Sequence, residues 1–295
     1  MKRYFCAVIL ALLFPLFCFA QNDFHFSVSP HISILYGELS EILYGFDDEI
    51  VSQLDWEQKP LINLGLSSTA AIKNFLISAD FDYSLPLANS YMYDSDWENG
   101  EKYSFTKHPL TKQQNIDTSL SFAYKISIPF KLFVIPVIQF NYLYSDFEAG
   151  NGSGNRHGRN IRVYGVDYKR HSFYIFTGLS VNAQPLSKLT FQIDFLAAPW
   201  LYQESLDYHH GVKHPFSTKD IQTGVFTKFK TSLTAEVFLN KTLALQVFTN
   251  LLFGFTDKGV LYSDYYTCEM QLIKGQKSGA AIYYIKTGFA TKFSF

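Results

Sequence analysis

The sequence predicts an all-β chain, a ten-stranded antiparallel transmembrane β-barrel with long extracellular loops. Three observations lead there. Segment after segment alternates apolar and polar residues with a period of two, which belongs to a strand and not to a helix. Aromatic residues make up 18% of the 295 residues and charged residues only 17%, whereas the watered face of a soluble β-sandwich would carry many charges. After residue 20 no uninterrupted apolar stretch reaches the roughly 18 residues that a spanning helix needs. Ile126 to Phe140 comes nearest, and Pro129 and Pro136 break it. Other classes are excluded by the balance of the chain. Its 25 Lys+Arg against 26 Asp+Glu give a net charge of -1, not the basic surface of a nucleic-acid binder. A hydrophobic content of 47% is far from that of a disordered chain.

The elements follow in order. Residues 1–20 read as a signal peptide: Lys2 and Arg3 form a basic start, Cys6 to Phe19 is apolar, and cleavage is expected after Ala20. Its removal leaves 23 basic and 26 acidic residues, a charge of -3. Of the three cysteines, Cys6 and Cys18 leave with it, so Cys268 has no internal partner and no disulfide or Cys-ligated zinc is expected. Residues 21–295 are expected to form one domain, since no repeat or linker interrupts them.

Strand segments are expected at 24–45, 50–68, 73–86, 115–130, 131–148, 161–183, 188–203, 220–239, 242–258 and 280–295. In 117–130, Leu120, Phe122, Tyr124, Ile126 and Ile128 share one face, while Asp117, Ser119, Ser121, Lys125 and Ser127 share the other. At the end of the chain Tyr283, Ile285, Phe289, Phe293 and Phe295 oppose Lys286 and Lys292. A final strand closing on an aromatic resembles the assembly signal of bacterial outer-membrane barrels. Short turns are expected near 69–73, 129–132, 184–188 and 239–242. Long outer connections are expected from Leu87 to Gln114, Gly150 to Asn160, Ser205 to Lys219 and Leu261 to Gly279.

Two of those outer stretches concentrate ionisable groups. Asp94 and Asp96 are two apart, so in extended chain both carboxylates face one way. Like charges so close repel and raise one pKa, which suits holding a proton or orienting a water. Asp207 and His209 share a face in the same manner, and a carboxylate beside an imidazole orients it and raises its basicity. On spacing alone both stretches read first as solvated polar turns or loops. A metal reading of His209, His210 and His214 fails on spacing, because it is not the helical His-x-x-x-His arrangement. No metal or cofactor is expected.

Four motifs are similar to those of the omptin family of outer-membrane proteases: Val51-Ser52-Gln53-Leu54-Asp55-Trp56, Met92-Tyr93-Asp94-Ser95-Asp96-Trp97, His108-Pro109-Leu110-Thr111 and Asp207-Tyr208-His209. They stand in the family's order with similar separations. The resemblance implies an endopeptidase in the bacterial outer membrane with its active groove at the extracellular rim. It implies that Asp207 orients His209, that His209 activates a water, and that Asp94 and Asp96 face them across the groove as the other catalytic residues. It implies peptide or protein substrates at the cell surface, bound in part by Glu41. Two departures stand out. The family's second acidic pocket residue, two before Asp207, is Ser205 here, and the neighbouring Glu204 would point to the other face. The family's lipopolysaccharide-associated Tyr-x-Glu-x-Arg run is replaced by Gln139-Phe140-Asn141-Tyr142-Leu143, so lipopolysaccharide dependence does not carry over. Lys169 and Arg170 remain as cations able to meet an anionic headgroup. A non-enzymatic outer-membrane barrel, either an adhesin or an inactive protease homologue, is the second reading. A small channel is the third, although about ten strands leave little open lumen.

Overall fold

The computed structural model describes residues 24–211, 215–265 and 269–295. The signal peptide expected over 1–20, together with His214 and Cys268, lies outside the described residues. Within them the chain forms sixteen strand segments and one short turn of 3-10 helix. The segments are β1 (Phe24–Tyr44), β2 (Ile50–Ile72), β3 (Phe75–Pro86), β4 (Tyr91–Glu98), β5 (Glu101–Tyr124), β6 (Ile126–Ile128), β7 (Leu132–Ala149) and β8 (Gly152–Arg156). The second half comprises β9 (Arg159–Val163), β10 (Val166–Leu186), β11 (Leu189–His209), β12 (Phe216–Gly224), β13 (Lys228–Phe238), β14 (Leu243–Phe255), β15 (Gly259–Ser263) and β16 (Gln271–Ser294).

β1 pairs with β2 on one side and with β16 on the other, so the antiparallel sheet closes into a ring. β3 and β4 both lie between β2 and β5. β12 and β13 follow one another along β11, and β14 and β15 follow one another along β16. The expectation was of ten continuous strands. The structure interrupts the one expected over 220–239 at 225–227 and ends the one expected over 242–258 at Phe255.

The largest difference from the sequence expectation lies in the outer connections, which are mostly strand. β4 and the first half of β5 occupy the stretch expected as a loop from Leu87 to Gln114, and β8 and β9 occupy that from Gly150 to Asn160. β11 runs on to His209, and β16 begins at Gln271. The reason is physical. Apolar alternation is written only where one face meets an apolar medium, and these parts meet polar surroundings on both faces. β5 and β16 each contain 24 residues, against the roughly 9–11 that cross a bilayer. A smaller difference is that β2 continues to Ile72, where Lys73 with φ of 55° turns the chain into β3.

Outward side chains at one end form an apolar belt. Phe122 lies across from Ile138, Leu120 from Phe140 and Phe229 from Phe253, all exposed. Trp200 and Phe173 mark its upper margin, and beyond it the outward residues turn polar at Lys169, Glu204 and Lys219. Such an apolar band with aromatic margins is the surface a bilayer covers.

Inward side chains fill the barrel with polar contacts. Asp82 accepts from Lys286 at 2.5 Å and meets His31 Nε2 at 2.9 Å, with all three side chains under a tenth exposed. Tyr284 donates to Asp117 at 3.2 Å, Asn141 donates to the same carboxylate at 2.6 Å, and Lys292 reaches Glu236 at 3.1 Å. Removing one member of a buried pair strands the other charge. Asp82→Ala is therefore expected to lower unfolding free energy by about 3–5 kcal/mol, measured by urea unfolding of the refolded barrel in lipid vesicles. A loss below about 1 kcal/mol would place Lys286 in contact with water.

Candidate active site

Beyond the belt, two strand pairs bring ionisable side chains to the lumen. β4 and β5 form a hairpin around Asn99 and Gly100, whose φ values of 52° and 77° suit the tight turn that Asn-Gly favours. On β4, Tyr91, Tyr93 and Trp97 join an outer cluster in which Lys107 lies 3.6 Å over the Tyr91 ring and Lys102 lies 4.8 Å over Trp97. The opposite face carries Asp94 and Asp96, so these residues sit on a strand rather than on a turn. Asp94 pairs in register with Thr106, and Asp96 with Ser104. Burial first, then the charge of Asp96, pushes Asp94 up to about 7; the charges of His209 and Arg156 oppose that rise.

β11 carries the second pair, again on a strand. His209 Nε2 lies 2.6 Å from Asp207 Oδ2. Thr218 on β12, the register partner of Asp207, donates to the other carboxylate oxygen. Asp207 is buried, and the His209 ring stacks on Phe216 at 4.4 Å with 6° between planes. The Asp207 hydrogen bond and the Phe216 ring fix the imidazole at one edge and one face. Burial disfavours its charged form, but the Asp207 hydrogen bond and the charges of Asp207, Asp94 and Asp96 outweigh that and hold His209 above the ordinary histidine range. Asp94 and His209 thus lie within electrostatic reach of each other, brought together by strands on different parts of the ring.

Below the dyad lies a buried acidic floor. Glu41 on β1 points inward, as expected, and is 3% exposed. Ser205 leaves its position without a carboxylate, but Asp220 on β12 stands directly across from it in register and is 1% exposed. Sequence reasoning missed this acid. Glu41 and Asp220 interact with each other as two buried acids, and no cationic side chain donates to Glu41 Oε2 or to either Asp220 oxygen among the described residues. Burial, then the neighbouring Asp207 charge, raises both carboxyls. Glu204 faces outward and pairs with Lys219 at 2.8 Å, as its parity requires.

Arg170 corrects an expectation. It does not meet an anionic headgroup but lies fully buried inside the barrel. Its Nη2 donates to the Ser40 carbonyl at 2.7 Å, its Nη1 to Ala281 at 3.3 Å and its Nε to Tyr168 Oη at 2.5 Å. Tyr168 in turn stacks on Trp56 at 5.0 Å, so the Val51–Trp56 motif supplies packing under the floor. Lys169 is the residue that faces out. The His108 motif also has a structural place. His108 is buried, with Nε2 2.9 Å from Thr106 Oγ1 and Nδ1 2.9 Å from the Gly150 carbonyl, and burial holds it below the ordinary histidine range.

The described residues contain no group of three or more His, Cys, Asp or Glu side chains arranged to hold a metal. The arrangement sets a carboxyl pair and an oriented imidazole above an acidic recess.

Comparison with known proteins agrees with this architecture. The model of the Omptin family matches residues 22–250. The crystal structure of the outer membrane protease OmpT from Escherichia coli superimposes with a TM-score of 0.81 at 15% identity, covering 94% of this chain and 100% of that one. The toluene transporter TodX of P. putida and the outer membrane protein OprG of Pseudomonas aeruginosa align over 94% and 93% of the chain, covering 91% and 98% of their own, at 9% and 8% identity. Their TM-scores are only 0.34 and 0.36. No curated protein matches in sequence.

Proposed function

The chain belongs to the omptin family, and from that membership and the site geometry we propose that it is an outer-membrane endopeptidase whose site faces the cell exterior. Asp207, held by Thr218, keeps His209 in one orientation through Nε2, which leaves Nδ1 to take a proton from a water. The water oxygen attacks the scissile carbonyl. Asp94 and Asp96 hold that water, and the protonated form of Asp94 donates to the carbonyl oxygen as negative charge develops there. The imidazolium then returns its proton to the departing amine, so no side chain is acylated. The 2.6 Å contact between His209 and Asp207, opposite a carboxyl pair, carries this reading.

The acidic floor bears on substrate choice. Glu41 and Asp220 present buried carboxyls without a cationic hydrogen-bond partner beside the dyad, and a buried acid is stabilised in its ionised form by a cation brought to it. A Lys or Arg before the cut would supply that cation. Arg170 spends its donors on Tyr168 and backbone carbonyls and makes no hydrogen bond to either carboxyl.

Two sets of outcomes, one for the dyad and one for the recess, are expected with fluorogenic peptides and the purified barrel. His209→Ala should lower kcat/KM by about 10²–10⁴; equal cleavage by wild type and variant would end the dyad proposal. Cleavage absent in every assay, with peptide binding retained, would favour a non-enzymatic barrel. His209 must be neutral to act as a base, so activity should fall as pH drops through its raised pKa. Asp207→Asn should move that acid limb to lower pH as well as reducing the rate. Second, Glu41→Gln with Asp220→Asn should cut kcat/KM by about a hundredfold for peptides with Lys or Arg before the cut. Peptides with a neutral residue there should change little, and an equal loss on both would remove the recess from specificity.

A further inference from the structure

Above the carboxyl pair lies a feature that the hydrolytic scheme does not use. β8 and β9 form a hairpin laid on β5 as an extension of the sheet, with Ser104 pairing Arg156 and Lys107 pairing Ser153. Its tip is His157-Gly158, with φ of 48° and 77°, the left-handed pair that a two-residue hairpin turn requires. Asn155 Oδ1 accepts from Gly158 N at 2.8 Å, and His157 N donates to the Tyr103 carbonyl at 2.8 Å. The Tyr103 and His157 rings stack at 4.8 Å. Two glycines permit this close approach. A Cβ at Gly152 would come within 2.6 Å of the His108 ring, and one at Gly154 would overlap the Phe105 carbonyl oxygen.

The docked hairpin delivers one cation to the carboxyl pair. Arg156 Nη2 lies 4.0 Å from Asp96 Oδ2, with half of the arginine side chain exposed. At that separation the contact is coulombic rather than a hydrogen bond. We propose that Arg156 is a positioning residue for the carboxyl pair: it offsets the charge of Asp96 at the groove mouth, so that the deeper Asp94 can still give up its proton. This deepens the endopeptidase reading and rests on it for its role in turnover. The other charged or titratable groups at the pair are known. Glu98 shares its strand, and Tyr103 approaches from β5. His209, backed by Asp207, faces the pair from β11. Lys102 is turned away onto Ser95 Oγ at 3.1 Å. Arg156 is thus the cation whose charge reaches both Asp94 and Asp96 from above.

The test follows the Asp94 carboxyl by isotope-edited NMR across pH in the intact barrel, beside the pH profile of kcat/KM. Arg156→Gln should move the Asp94 titration upward by about half a unit, a half-exposed cation acting at the weak end of the usual range. The kinetic limb that Asp94 governs should move with it, and kcat/KM should fall about tenfold. Arg156→Lys should restore most of both. Gly154→Ala, which lifts the hairpin without removing charge, should reproduce Arg156→Gln. Arg162→Gln on β9 removes an equal charge and should move neither. An unmoved titration in Arg156→Gln overturns the proposal, and so does an equal shift in Arg162→Gln. A wild type that cleaves nothing, but whose Asp94 titration responds to Arg156→Gln, ends the endopeptidase reading and leaves the charge assignment standing.

Discussion

Register is the constraint on which the rest depends. In a sheet closed on itself every strand has two neighbours, and a slip of one residue would exchange lumen and outer surface along its whole length. The site is built from register neighbours. Asp207 stands across from Thr218, Ser205 across from Asp220, and Asp94 across from Thr106. The members of each pair lie on neighbouring strands, and one strand of each pair, β5 or β11, runs on into the belt, where it pairs with β3 or β13. The stability of the apolar part of the barrel and the accuracy of the polar part are therefore one property.

Charge inside the ring is handled in two ways. Lower down, Asp82, Lys286 and His31 satisfy one another, as do Glu236, Lys292 and Gln246. Buried pairs of this kind contribute little net stability but strongly disfavour arrangements that leave one member alone. Higher up, satisfaction is incomplete. Glu41 and Asp220 have no cationic hydrogen-bond partner, and Arg170 spends its donors on backbone and Tyr168. A lumen that pairs its charges at one end and withholds pairing at the other separates scaffold from reactive surface within the same strands.

The sequence made the belt legible because lipid-facing positions repeat at every second residue, as at Leu120, Phe122 and Tyr124. The parity argument also placed Asp94 with Asp96 and Asp207 with His209, which needs only extended backbone. It went wrong where both faces are polar. There β4, β8 and β9 looked like loops, although His157-Gly158 between short runs was a readable hairpin signal. Arg170 was grouped with Lys169 as a surface cation, yet parity alone separates them, since Arg170 shares the inward face of Tyr168. Asp220 could not be found that way. Its place opposite Ser205 depends on the register between β11 and β12, and the connection between those strands gives no rule for it.

The cross-linked interior has a consequence for traffic. A tube bridged by Lys286–Asp82, Tyr284–Asp117 and Lys230–Gln139 contacts behaves as a blind well: whatever enters at the rim must back out through the same opening. A folded visitor could offer only a protruding, pliable stretch of itself, and both severed halves would have to be released upward before the next could dock.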